Sequence, residues 1–167
     1  KMPGDLFRST IKEIGAREYP EVQIDDYHID AMSAHMVRRL KDFDVIITTN
    51  LFGDILSDLA GELTGSLGLG PAINTNDHQC MAQAAHGSAP DIAGKNIANP
   101  VGIMLSAVMM YDWLADRYQD EKLGRIARLM EDGIIKTMEE GFVTPDLGGT
   151  ASTSGFAEEI RKKIEMA

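Results

Sequence analysis

Apolar side chains recur at helical spacing along several stretches of the chain, and each stretch predicts a helix. The first stretch ends before Pro20, because the residue that precedes a proline disfavours the helical conformation. Its apolar residues are Leu6, Phe7, Ile11 and Ile14. The other predicted helices cover residues 31–40, 50–63, 100–114, 121–140 and 156–166. Asn99 is a suitable N-cap for the helix that begins with Pro100. Gly141 is placed to end the helix of residues 121–140.

Two shorter segments have the pattern of strands. Residues 43–50, FDVIITTN, form a nearly continuous apolar and β-branched run, which is typical of a strand buried on both faces of a sheet. Residues 21–25, EVQID, also have the pattern of a short strand. Alternation of strands and helices at these lengths predicts a layered α/β fold.

The composition changes at residue 65, where GSLGLGPAINTND brings together glycines, a proline and asparagines. This composition predicts a loop that could act as a hinge. Gly65, Gly68 and Gly70 do not match the Rossmann dinucleotide fingerprint, because no strand-helix unit surrounds them.

The overall charge excludes several classes of partner. Sixteen basic and 26 acidic residues give a net charge of −10, which would repel nucleic acid and an anionic membrane surface. Cys80 is the single cysteine and cannot form an internal disulfide, so a reducing compartment is expected. The longest apolar run, residues 101–111, is too short to span a bilayer, and KMPGDLFRST lacks the apolar core of a signal peptide. We expect a cytoplasmic protein with no nucleic-acid or membrane partner.

Asp54 and Asp58 lie four residues apart in NLFGDILSDLAGEL, and apolar residues recur there at the same interval. Positions i and i+4 are neighbours on a helix surface, and like charges there repel by roughly a few tenths of a kcal/mol. Either water screens the two carboxylates on a solvated helix face, or a cation binds between them. The spacing alone leaves both interpretations open.

The segment from His86 to Asn99 combines an imidazole, small residues and a carboxylate, Asp91, in one loop. Small residues allow a ligand to approach the backbone, and a carboxylate accepts hydrogen bonds from ribose hydroxyls. The loop could therefore hold an adenosine group. The alternative is a surface loop that is merely well capped.

Three longer segments resemble the β-decarboxylating dehydrogenases, the family of 3-isopropylmalate, isocitrate, homoisocitrate and tartrate or D-malate dehydrogenases. The segments are FDVIITTNLFGDILSDLAGELTGSLGLGP, HGSAPDIAGKNIANP and TPDLGGTAST, and the likeness extends over the whole chain. It implies part of the layered α/β fold of isopropylmalate and isocitrate dehydrogenases, which is not a Rossmann fold. It also implies that residues 1–64 belong to a central, dimer-forming and metal-binding domain, and residues 65–167 to a larger domain with the NAD-binding loop.

The resemblance implies a metal site and a reaction. In the family, hydride passes from C2 of a 2-hydroxy acid to NAD(P)⁺, and the resulting β-keto acid loses CO₂. The metal is Mg²⁺ or Mn²⁺, which prefers oxygen ligands, and the matching residues here are Asp30, Asp54 and Asp58. The family site lies at a dimer interface, so Asp30 is expected to come from the opposite subunit of a homodimer.

The resemblance also assigns the cofactor-binding residues. They are His86, Gly87, Ser88, Ala89, Asp91, Ile92 and Asn99. NADP-using relatives typically have a lysine-tyrosine pair where this sequence has Asp91 and Ile92, so NAD is the expected cofactor. An ionised acid at this position would repel the 2′-phosphate of NADP⁺.

The general base of the family is the first lysine of a Lys-x-Asn-x-x-Lys motif, and Lys1 matches the second lysine. We expect the catalytic lysine upstream of this sequence, so the chain alone should be inactive. The segment HGSAPDIAGKNIANP favours the isopropylmalate and isocitrate group, which predicts the C-terminal part of an NAD-dependent oxidative decarboxylase acting on a 2-hydroxy acid with a β-carboxylate. The alternative is a non-catalytic metal- or nucleotide-binding half that needs or regulates a separate N-terminal partner.

Overall fold

A computed structural model describes residues 3–166, which fall into two compact units. The first unit ends at Asp42 and the second begins at Phe43. The domain boundary between residues 64 and 65, which the resemblance implies, is a different division and stays a prediction. Lys1, the expected second lysine of the family motif, lies outside the described residues.

The first unit contains two helices, α1 (Pro3–Glu18) and α2 (Ile29–Arg39), and α2 continues into a 3₁₀ turn at Leu40–Asp42. Residues 21–25, predicted as a strand, have no regular secondary structure and are exposed. The prediction is wrong because a strand needs a hydrogen-bonded neighbour, and the described part of this unit has none. Side-chain contacts tie the segment to α1 instead, since Lys12 donates a hydrogen bond of 3.0 Å to Asp26.

The second unit contains four helices and one hairpin. The helices are α3 (Asn50–Leu63), α4 (Val101–Tyr118), α5 (Glu121–Glu139) and α6 (Thr153–Glu165). The hairpin pairs β1 (Pro71–Thr75) with β2 (Cys80–Ala84) in antiparallel register, with Pro71 opposite Ala84 and Thr75 opposite Cys80. Short 3₁₀ turns lie at Leu67–Leu69, Pro90–Ile92 and Pro145–Leu147.

The core of the second unit lies where α4, α5 and α6 meet. Its buried apolar residues are Val101, Val108, Ala127, Ile134, Ala151, Phe156 and Ile160. Burying one large apolar side chain stabilises a fold by about 1.5–3 kcal/mol, so this cluster holds the three helices together. The buried Ser106 hydroxyl joins α4 to the hairpin, because it accepts a hydrogen bond from the Ala72 N–H and lies 2.7 Å from the Gln83 carbonyl.

Residues 43–50 form no strand, although their sequence is strongly strand-like. Val45 is 79% exposed and Ile47 is 63% exposed. A strand with two apolar faces needs neighbouring strands on its edges and layers on both faces, and within residues 3–166 the only strand pairing is that of β1 with β2. The apolar pattern predicted a buried environment that the described residues do not supply.

β1 lies within residues 65–77, which were predicted as loop, and no prediction covered β2. Glycine, proline and asparagine are rare in strands, which explains the error. Asn76 accepts hydrogen bonds from the backbone N–H groups of His78 and Gln79 and so forms the turn between β1 and β2. No helix within residues 3–166 has both the length and the apolar character needed to cross a bilayer.

Candidate active site and cofactor loop

Asp54 and Asp58 both lie exposed on α3, one helical turn apart. Leu56, between them in sequence, is the buried residue of the helix, so the two carboxylates lie on the side away from it. Side chains at i and i+4 have Cβ atoms about 5–6 Å apart, a separation that a bridging cation can span. In the described part of the chain, no ion pair neutralises either carboxylate.

Asp30 lies in the first turn of α2 and is exposed, and its carboxylate accepts a hydrogen bond of 2.8 Å from the Ala31 N–H. Across residues 3–166, no three histidine, cysteine, aspartate or glutamate side chains come together as a metal-binding group. The aspartates of α3 have the oxygen chemistry that Mg²⁺ and Mn²⁺ require, but two carboxylates fill only part of an octahedral shell. The three-aspartate site therefore stays a prediction.

Gly68 and Gly102 lie where the turn at Leu67–Leu69 approaches α4. A Cβ added to Gly102 in α4 would stand 2.9 Å from the Gly68 carbonyl oxygen and 3.0 Å from that of Gly70. A Cβ added to Gly68 would stand 2.7 Å from the Cβ of Asn99. The small residues thus let the turn at Leu67–Leu69 lie directly against the start of α4.

The predicted cofactor loop runs from the end of β2 to the start of α4 and is held firmly at its second half. The Asn96 side chain donates a hydrogen bond to the Ser154 hydroxyl (2.8 Å) and accepts one from the Ser154 N–H (3.1 Å). The Thr153 hydroxyl donates to the carbonyl of Ala98 at 2.5 Å. These contacts fix the loop to the first turn of α6, which belongs to the core of the second unit.

The middle of the loop faces solvent. Ala89 has a left-handed backbone (φ 41°) and occupies the capping position of the 3₁₀ turn at Pro90–Ile92. Asp91 lies inside this turn with an exposed side chain, and the capping position belongs to Ala89. The Nδ1 of His86 lies 2.9 Å from the Gly87 carbonyl. The remaining predicted cofactor residues are Ser88, which is exposed, Ile92, which is half-buried, and Asn99, which is buried.

Asn99 was predicted as the N-cap of α4, but Pro100 occupies that position. The helix begins at Val101, with Pro100 before it, and the Asn99 Oδ1 accepts a hydrogen bond of 3.0 Å from the Val101 N–H. The Asn99 Nδ2 donates to the carboxylate of Asp146 at 2.9 Å. Both polar ends of this buried amide are therefore used inside the protein.

Asp146 was assigned no role from the sequence, although it lies in the motif TPDLGGTAST. Its carboxylate accepts hydrogen bonds from Ser66 (2.5 Å), Thr144 (2.6 Å) and Asn99 (2.9 Å). Desolvation by the surrounding protein raises the pKa of Asp146, but the three hydrogen bonds outweigh it and hold the pKa below its usual value. Its partners Ser66 and Asn99 lie 80 and 47 residues away in sequence, so no local pattern reveals the cluster.

Comparison with known proteins assigns the chain to a family. The family model "Isocitrate/isopropylmalate dehydrogenase" matches residues 2–160. The chain is 44% identical to a 3-isopropylmalate dehydrogenase of Archaeoglobus fulgidus, over 96% of this chain and 47% of the relative. It is 41% identical to an NADP isocitrate dehydrogenase of Rickettsia felis, over 98% of this chain and 34% of the relative.

A solved structure gives the same result. The crystal structure of isocitrate dehydrogenase from Methylococcus capsulatus superposes with a TM-score of 0.86 at 41% identity, covering 96% of this chain and 46% of that one. The chain thus spans between about a third and a half of the proteins it matches. Members of this family are metal-dependent dehydrogenases that use a nicotinamide cofactor and act on small hydroxy acids. The resemblance seen in the sequence motifs is confirmed, and the chain belongs to the isocitrate/isopropylmalate dehydrogenase family.

Proposed function

We propose that this chain is the C-terminal part of an oxidative decarboxylase that uses NAD⁺ and Mg²⁺ or Mn²⁺ and acts on a 2-hydroxy acid with a β-carboxylate. The observation that carries the proposal is the exposed pair of carboxylates, Asp54 and Asp58, one turn apart on α3 and without an ion-pair partner among the described residues. An unpaired repulsive pair on one helix face is explained if a cation belongs between its members.

The residues of α3 would hold the metal in the proposed enzyme. A divalent cation, when bound, stabilises negative charge that develops on the substrate oxygen during hydride loss and decarboxylation. Asp54 and Asp58 would supply two of its oxygen ligands, and Asp30 of the partner subunit would supply a third. Two or three carboxylates would leave coordination positions open for other oxygen ligands.

The loop from His86 to Asn99 would hold the cofactor. Asp91 is exposed in a turn it does not cap, so its carboxylate is available to accept hydrogen bonds from the ribose hydroxyls of NAD⁺. Family membership alone does not select the cofactor, since one relative is named for NADP. The proposal of NAD⁺ therefore rests on Asp91 and Ile92.

The general base and the substrate-binding arginines are expected from residues outside this sequence. Names of relatives support two substrate types, 3-isopropylmalate and isocitrate, at 44% and 41% identity. The motif HGSAPDIAGKNIANP favours this group over the tartrate and D-malate enzymes. The second candidate function is a metal- or nucleotide-binding half that works with a separate N-terminal polypeptide.

An activity panel tests the proposal in two arms. The polypeptide that carries this chain with its upstream sequence is assayed with 3-isopropylmalate, isocitrate, tartrate and D-malate, each with NAD⁺ or NADP⁺ and Mg²⁺ or Mn²⁺. We expect equal amounts of reduced cofactor and CO₂ from one of the first two substrates, and no turnover by the 167-residue chain alone. Cofactor reduction without release of CO₂, or no turnover with any substrate, would overturn the proposal.

A further inference from the structure

We propose that Asp146 is a positioning residue for cofactor binding, which acts through Asn99 at the junction of the loop and α4. The inference rests on the proposed function, because it assigns the cofactor to the loop from His86 to Asn99. Asp146 itself is placed outside that loop, in the 3₁₀ turn at Pro145–Leu147.

Two hydrogen bonds hold the side-chain amide of Asn99 in one orientation. Asn99 is only 8% exposed, and its Oδ1 accepts from the N–H of Val101 while its Nδ2 donates to Asp146. A flipped amide would present an NH₂ group to the Val101 N–H and oxygen to a carboxylate, so neither contact would survive. Asp146 therefore fixes which way the last residue of the loop faces.

Two distant segments and the turn of Asp146 itself meet at the carboxylate of Asp146. The Ser66 and Asn99 donors share Oδ2 of Asp146, and the Thr144 hydroxyl donates to Oδ1. Ser66, Asn99 and Thr144 are all buried, whereas Asp146 itself is exposed. The glycine turn after Ser66 lies against Asn99, so one acceptor joins the turn, the loop end and the helix start into a single unit.

Two substitutions of Asp146 distinguish its hydrogen bonds from its negative charge. In Asp146→Asn, the amide oxygen can keep the bonds from Ser66 and Asn99, while the new NH₂ group donates to Thr144, whose hydroxyl can turn to accept. In Asp146→Ala, all three buried donors lose their acceptor, and an unsatisfied buried donor is costly. A positioning role therefore predicts that asparagine works nearly as well as aspartate and that alanine does not.

The kinetic test uses the complete enzyme, with the KM for NAD⁺, the KM for the hydroxy acid and kcat measured separately. Asp146→Ala should raise the KM for NAD⁺ by roughly tenfold or more, with kcat and the other KM changed by less than about threefold. Asp146→Asn should stay within about threefold of wild type. Asp116→Ala, the same change at an exposed residue of α4, is the control and should behave as wild type.

A swap keeps the test informative if Asp146→Ala does not fold. Asn99→Asp places a second carboxylate beside Asp146 and should weaken NAD⁺ binding, and adding Asp146→Asn restores one donor and one acceptor between the two positions. The double variant Asn99→Asp, Asp146→Asn should recover most of the loss. A double variant no better than Asn99→Asp alone would overturn the proposal.

Amide hydrogen exchange measures the positioning without catalysis. In the unliganded protein, Asp146→Ala should speed exchange at the Val101 N–H, whose acceptor is the Asn99 side chain, while Asp146→Asn should not. An unchanged KM for NAD⁺ in Asp146→Ala, or equal losses in the asparagine and alanine variants, would overturn the role of Asp146. Absence of nicotinamide-dependent activity in the wild-type enzyme would overturn the proposed function instead, and the exchange result would still decide whether Asp146 fixes Asn99.

Discussion

Gly102 in α4 lies so close to the turn before β1 that an added Cβ would stand 2.9 Å from the carbonyl oxygen of Gly68. Backbone atoms cannot move aside as a flexible side chain can, so Gly102→Ala must displace the turn or the helix. We expect Gly102→Ala to lower the free energy of unfolding by about 1–3 kcal/mol, measured by urea denaturation.

Gly124 in α5 provides the matched control for that change. Its added Cβ would meet the nearest atoms at 3.5 Å and 3.6 Å, which is ordinary van der Waals contact. Since alanine is the better helix former, Gly124→Ala should stabilise the protein by about 0.5–1 kcal/mol. If the two alanine variants had the same stability, the close approach of Gly102 to the turn would be wrong.

Helices were predicted from the sequence better than strands, because a helix depends on local signals and a strand depends on distant neighbours. A helix was predicted within residues 50–63 and is observed as Asn50–Leu63, because helical periodicity is a local signal. Gly141 was predicted to end α5 and has a φ of 76°, which suits glycine. Residues 43–50 failed as a strand because strands depend on neighbours that no short window contains.

The same distinction between local and distant signals applies to the residues of the candidate site. Asp54, Asp58 and the loop with Asp91 were found because each lies in a contiguous motif. Asp146 was not found, because Ser66 and Asn99 come from two distant segments of the chain and only folding brings them to its carboxylate. A sequence motif therefore identifies residues that would contact a ligand more readily than residues that position those contacts.

Protonation of Asp146 should weaken the fold in acid. Its pKa in the folded protein lies below the ordinary value of about 3.9, so the native state binds the proton less readily than the unfolded chain. The stabilisation is fully present above that ordinary value and is lost as the pH falls through the lower, folded-state pKa. Urea denaturation of wild type should show this loss below about pH 4, and Asp146→Asn should show a smaller one. Identical pH profiles for the two proteins would contradict the lowered pKa.

Replacing Asp54 or Asp58 by asparagine should weaken Mn²⁺ binding strongly, because each change removes a charged oxygen ligand while nearly keeping the shape of the side chain. Binding is measured by titration of the complete enzyme with Mn²⁺. The free energy of unfolding without metal should change little or rise slightly, since repulsion between the two carboxylates is relieved. Asp132→Asn, on the exposed side of α5, is the control. Unchanged affinity for Mn²⁺ in both variants would favour the solvated-face interpretation.

A shared site predicts complementation between two inactive enzymes. If Asp30 acts on the metal site of the opposite subunit, a mixture of Asp30→Asn enzyme with the double variant Asp54→Asn, Asp58→Asn forms hybrid dimers. Each hybrid contains one site with all three aspartates, so activity should return after subunit exchange. Exchange is verified independently with differently tagged subunits. A mixture that exchanges subunits and stays inactive would falsify the shared-site geometry.

The choice of cofactor depends on Asp91. Its side chain is exposed in a turn capped by Ala89, so an electrostatic effect at this position can be separated from an effect on the turn. Asp91→Lys combined with Ile92→Tyr replaces a carboxylate that accepts from ribose hydroxyls with a cation that attracts the 2′-phosphate of NADP⁺. In the complete enzyme, the ratio of kcat/KM for the two cofactors should move toward NADP⁺ by at least about tenfold, or roughly 1.4 kcal/mol of differential binding. Asp116→Lys, which reverses a charge on α4 away from the loop, should leave that ratio unchanged. A ratio that also stays constant in the double variant would show that Asp91 does not contact the ribose.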